Sequence, residues 1–115
     1  MTYKEKRIMF SKLICQQVLD MFGAGYEVSF GEIVRTRAQA EANADAGAGI
    51  RNSLHLDGLA ADLNLYKDGA YLDKTESHRQ FGELWKARHP YCRWGGDIKS
   101  RPDGNHYSFT DDNRI

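Results

Sequence analysis

Residues 53–64, Ser-Leu-His-Leu-Asp-Gly-Leu-Ala-Ala-Asp-Leu-Asn, constrain the fold more than any other stretch of this chain. They hold His55 and Asp62, seven positions apart, with Gly58 between them. On one regular strand, residues seven apart face opposite ways and lie roughly 23 Å apart. Either the two side chains are unrelated, or the chain turns at Asp57-Gly58 and brings them together. Asp-Gly is a strong turn signal. Beyond it, Leu59, Ala61, Leu63 and Leu65 alternate with Ala60, Asp62 and Asn64, the period-two pattern of a half-buried strand. The apolar face makes core; the other face carries Asp62. An imidazole from before the turn and a carboxylate from the strand after it can then share one small ion. Asp103-Gly-Asn-His106 supplies a second histidine, with a carboxylate three residues before it.

A chain of 115 residues can bury one core and is too short for two, so a single domain spanning residues 1–115 is expected. Sixteen basic residues balance sixteen acidic ones. A general nucleic-acid binder usually shows a basic excess, so that class is disfavoured. No run approaches the roughly 20 apolar residues of a spanning helix, and the first residues do not form a secretory signal. These features predict cytoplasmic synthesis, no membrane insertion and a monomer. Cys15 and Cys92 each sit in an apolar pattern without Cys-x-x-Cys spacing. Both are expected to be buried reduced thiols, with a disulfide or zinc-thiolate site as the alternative.

Along residues 4–22, Ile8, Phe10, Leu13, Ile14, Val18, Met21 and Phe22 mark the buried face of an amphipathic helix, with Gly23 or Gly25 as its cap. Residues 26–35 predict an extended segment bulged at Gly31. Thr36 caps a short helix from Arg37 to Ala44. The small-residue loop at 46–50 lacks the signature of a phosphate cradle. Lys67-Asp-Gly69 predicts a hairpin turn. Ser77 and Gln80 fit a capping box for a helix with an apolar stripe of Phe81, Leu84 and Trp85, stopped by Pro90. His78 and His89 on that helix are read as solvated or helix-end residues. Trp85 and Trp94 suit core better than a substrate platform. Residues 91–94 and 106–109 predict strands, with Tyr107 and Phe109 facing the core. The tail from Asp111 is expected to fray.

His55, Asp62 and His106 make a nitrogen-and-oxygen donor set that leaves one place for water, the pattern of a catalytic zinc site. Such an ion lowers the pKa of its water to about 7. A carboxylate must then move the proton, and the Gly104-Asn105 turn can fold Asp103 back to do so as a base instead of a ligand.

The pattern Ser53-x-His55-x-x-Gly58-x-Ala60-x-Asp62, followed by Asp103-x-x-His106, resembles the D-alanyl-D-alanine carboxypeptidase type of zinc peptidase. The resemblance is closest to phage endolysins that are L-alanyl-D-glutamate endopeptidases. It extends over residues 28–109 and includes Trp94-Gly-Gly. It implies an α+β fold with helices packed on a small antiparallel sheet, shared with hedgehog-type domains. It also implies one zinc ion on His55, Asp62 and His106, with Asp103 as general base. Arg35 matches the arginine that polarises the scissile carbonyl, with Arg51 and Arg37 as rivals. Ser53 falls near the substrate, and Arg51 and Trp94 are further substrate-binding candidates. The implied substrate is the peptide stem of peptidoglycan, reached through a separate membrane pore, with no wall-binding domain expected. Two alternatives stay open: a carboxypeptidase or dipeptidase on the same scaffold, and a non-catalytic metal-stabilised wall-binding module.

Overall fold

The computed structural model of the protein describes residues 1–45, 53–112 and 114–115. The small-residue loop at 46–50 and Arg51 lie outside the described residues. Helix α1 spans Tyr3–Gly23. Thr2 and Glu5 cap it reciprocally, each side chain bonding the other's backbone N–H. That closes two of the donors a helix start leaves open. Its buried face is Phe10, Leu13, Ile14, Gln17 and Met21. Ile8 and Phe22 are exposed, so the apolar stripe is narrower than expected. Cys15 is also exposed, since it follows Ile14 by about 100° of helical turn; Cys92 is buried, as expected.

Strand β1, Glu27–Phe30, runs antiparallel to β2, Ala60–Lys67, pairing Phe30 with Leu63. The ladder then slips at the expected bulge. Gly31 donates to the Asp62 carbonyl at 2.8 Å, while Asp62 donates to the carbonyl of Glu32, also at 2.8 Å. Two residues thus oppose one, and Glu32 and Ile33 are carried towards the His55 side. Helix α2, Arg37–Asp45, starts where Thr36 Oγ1 accepts from Gln39 N. Strand β3, Ala70–Tyr71, returns on β2 through Asp68 and Gly69, both at positive φ, as a tight hairpin turn requires.

Helix α3, Thr75–Arg88, begins two residues before the predicted capping box, and its N-cap, Lys74, makes no side-chain cap bond. Its buried face is His78, Phe81, Gly82 and Trp85, spaced i, i+3, i+4 and i+7; Leu84 is largely exposed. His78 is therefore a core residue, not a solvated one. His89 closes the helix, its ring nitrogen accepting from Tyr91 N. Strands β4, Cys92–Trp94, and β5, His106–Phe109, complete the sheet in the order β1-β2-β5-β4, with β3 on β2. Every pairing is antiparallel. Helices α1 and α3 pack on one face, where Phe10 meets Trp85 edge-on and Trp85 meets Tyr107 likewise. The architecture is the expected α+β fold. The described tail does not fray: Arg114 bonds Asp57 at 2.8 Å, and Lys6 pairs with Asp111.

Candidate metal centre

His55 sits in a one-turn 3-10 helix, Leu54–Asp57, that ends at Gly58 in the left-handed region, φ 69°. A side chain at Gly58 would be strained there, so this glycine lets the chain reverse into β2. Ser53 caps the turn, its Oγ accepting from His55 N at 3.2 Å. Ser53 is buried, and its hydroxyl orients the turn that carries His55. Asp62 and His106 are direct partners across β2 and β5, which puts both side chains on the same face of the sheet. The turn thus delivers His55 to the pair as the spacing required.

Asp62 Oδ1 lies 3.3 Å from His55 Nε2 and 3.3 Å from His106 Nδ1. Two donors each about 2.0–2.1 Å from a tetrahedral ion stand about 3.3 Å apart, so both separations match edges of a zinc polyhedron. All three donors lie within 4.8 Å of one another. His55 Nδ1 faces the Ile33 carbonyl at 3.1 Å, the outer contact that holds a ligating imidazole in its tautomer. The other nitrogen of His106, Nε2, is buried with no hydrogen-bond partner among the described residues. His106 is thus not satisfied as an ordinary core histidine is. Asp62 would be pushed up by burial, but its bonds to His106 and His55 reverse this and hold it at about 2. Burial likewise disfavours charge on His55, yet Asp62, the Ile33 carbonyl and Glu32 outweigh it and raise its pKa. The residues fit a metal ion, and two imidazoles with one carboxylate and an open place make zinc the cofactor.

Asp103 stands outside this trio. Its carbonyl accepts from His106 N at 3.2 Å and its N–H donates to the Gly95 carbonyl, so the loop folds back as expected. Its carboxyl is raised by partial loss of hydration, with His106 opposing and Asp62 adding. Gly104 allows the fold: a Cβ there would run into Thr75 on α3. Arg35 is paired with Glu32, whose carboxylate lies 3.6 Å from His55 Nδ1. Arg35 N also donates to the His55 carbonyl, fixing this arginine beside the centre. Trp94 is not a substrate platform. It is fully buried, donates to the Gly104 carbonyl at 2.7 Å, and so props the Asp103 loop from below. Arg37 lies at the start of α2, and Arg51 is outside the described residues.

Residues 46–109, more than half of the chain, match the D-alanyl-D-alanine carboxypeptidase family. The chain belongs to that family. It is a peptidase, and hence a hydrolase. No curated protein matches its sequence. Among solved structures, it is similar to the Serratia marcescens L-Ala D-Glu endopeptidase ChiX, with a TM-score of 0.64 and 25% identity over 73% of this chain and 67% of that one. It also shares its fold with a mutant of the D,D-pentapeptidase VanY from a VanB-type resistance cassette, solved with Zn(II). There the TM-score is 0.61 and the identity 18%, over 89% of this chain and 71% of the other.

Proposed function

We propose that the protein hydrolyses an amide in the stem peptide of bacterial peptidoglycan, and that this amide is the L-alanyl-D-glutamate bond. The observation that carries the reading is the 3.3 Å spacing of His55 Nε2 and His106 Nδ1 from one Asp62 oxygen, beside a carboxylate that is not a ligand. The likeness to ChiX supports the choice of bond. Zinc held by His55, Asp62 and His106 supplies Lewis acidity at the scissile carbonyl and an activated water. Asp103 accepts the proton of the attacking water and passes it to the leaving amine. Arg35, steadied by Glu32, faces the negative charge that develops on the carbonyl oxygen.

Digestion of purified muropeptides, followed by mass analysis, tests this directly. An endopeptidase releases a stem fragment that begins at D-glutamate, and a chelator stops the release. Loss of terminal D-alanine alone gives the carboxypeptidase reading, which the family description favours. No product with zinc fully bound leaves only the non-catalytic module.

A further inference from the structure

A second feature lies on the far side of Asp103. A cavity of about 210 Å³ opens between the start of α3 and the 102–105 loop, with Asp73, Lys74, Thr75, His78, Asp103 and Asn105 in its wall. The start of α3 lines this cavity, and its N-cap, Lys74, makes no side-chain cap bond to the first turn. Thr75, the nearest hydroxyl, is already used: its Oγ1 accepts from Gly104 N.

His78 adds an independent signal. Its side chain is only 2% exposed, yet it lines this cavity. Nδ1 lies 2.8 Å from the Tyr107 hydroxyl. Nε2 has no partner among the described residues and is not sealed in protein, so it reaches the cavity surface. The bond to Tyr107 sets which nitrogen carries the proton. Arg88 Nε donates to Gln17 Oε1 at 2.8 Å, and the amide nitrogen of Gln17 donates to the Phe81 carbonyl, also at 2.8 Å. The buried Tyr107 hydroxyl has His78 Nδ1 as its only hydrogen-bond partner among the described residues, so the phenol proton goes to that nitrogen. Burial keeps the imidazole uncharged, with its pKa pushed down to about 4. A neutral ring that accepts at Nδ1 must carry its proton at Nε2. The cavity therefore receives a fixed N–H donor beside a helix start.

The position of Asp103 gives the cavity its meaning. That residue lines the cavity, its carbonyl accepts from the backbone N–H of His106 of the metal centre, and in the mechanism proposed above its carboxylate passes a proton to the leaving amine. The cavity thus lies on the leaving-group side. An L-Ala-D-Glu bond and a D-Ala-D-Ala bond both leave an amino acid that bears a carboxyl group a few atoms from the cut nitrogen. We propose that this cavity is the subsite for the carboxylate of the leaving residue, with His78 Nε2–H and the first turn of α3 as its donors. The proposal rests on the peptidase reading above and deepens it. Lys74 adds a favourable charge at the rim, while Asp73 and Asp103 restrict the anion to the donor side.

Two measurements test it. The first compares kcat/KM for a stem peptide with a free carboxylate on the leaving residue against the same peptide as its amide. His78→Phe keeps a ring but loses the donor, and the acid-over-amide ratio falls about 10-fold, through KM. His78→Gln, whose amide can stand where Nε2–H stands, recovers part of that ratio. An equal loss on both peptides, or no loss, overturns the subsite. The second needs no turnover and no change at His78. Nitrogen NMR of the zinc-loaded Asp103→Asn protein reads the tautomer of His78, expected as Nε2–H, and its response to L-alanyl-D-glutamate and the amide. A shift with the free acid only supports the subsite. The Nδ1–H tautomer, or no shift, overturns it. Cleavage by the wild type without that shift sinks the subsite alone; the shift without any cleavage sinks the peptidase reading alone.

Discussion

Two histidine settings lie back to back across β5. On one face His106 joins His55 around Asp62; from the next residue, Tyr107, the other face reaches His78. All three imidazoles are buried to a similar degree. Their charge preferences nevertheless diverge, since His55 is raised and His78 falls to about 4. Burial alone penalises an imidazolium; a carboxylate partner reverses the sign. One side is thus built to gather a cation, and the other to hold a neutral ring in one tautomer.

The largest test of this contrast removes a ligand. His106→Ala is expected to lose zinc stoichiometry and all cleavage, measured by metal analysis and muropeptide digestion. A variant that still binds one zinc per chain refutes the ligand set. Next, Asp103→Asn is expected to keep its zinc and lose about 100-fold or more in turnover. Zinc loss instead would move Asp103 among the ligands.

The neutral side has its own signature in acid. Folded His78 charges only near pH 4, whereas an unfolded histidine charges near 6.5. The unfolded chain takes the proton first, so stability present above pH 6.5 is lost as pH falls towards 4, about 3 kcal/mol in all. Urea unfolding of wild type and His78→Gln at pH 7 and pH 5 reads this as a difference in acid loss. Equal slopes would falsify the burial account. Tyr107→Phe strands His78 Nδ1 and is expected to cost about 2 kcal/mol in the same assay, with the fixed tautomer lost by NMR. The smallest effect falls on the metal side. Ser53→Ala removes the cap of the turn bearing His55 and is expected to cost about 1 kcal/mol, with zinc affinity lowered more than the melting temperature. Unchanged affinity would confine Ser53 to stability.

Much of the metal centre was legible before any coordinates. Asp57-Gly58, the alternation through β2 and the Asp103-x-x-His106 spacing are local signals, and each acts through backbone conformations set by adjacent residues. So did the Gly31 bulge and the Asp68-Gly69 turn declare themselves. His78, Ser53 and Cys15 did not. Their roles depend on which helix face meets the sheet and which distant atom accepts a proton. His78 was the nearest to readable, because it shares the i, i+3, i+4, i+7 stripe with Phe81, Gly82 and Trp85. A histidine in such a stripe is ambiguous until its partner is known. Here the partner, Tyr107, comes from a strand 29 residues away. Sequence alone could say which side chains are able to bind a cation, because ligand chemistry belongs to the residue. Only packing could say which imidazole stays neutral, because that depends on what surrounds the ring once water has gone.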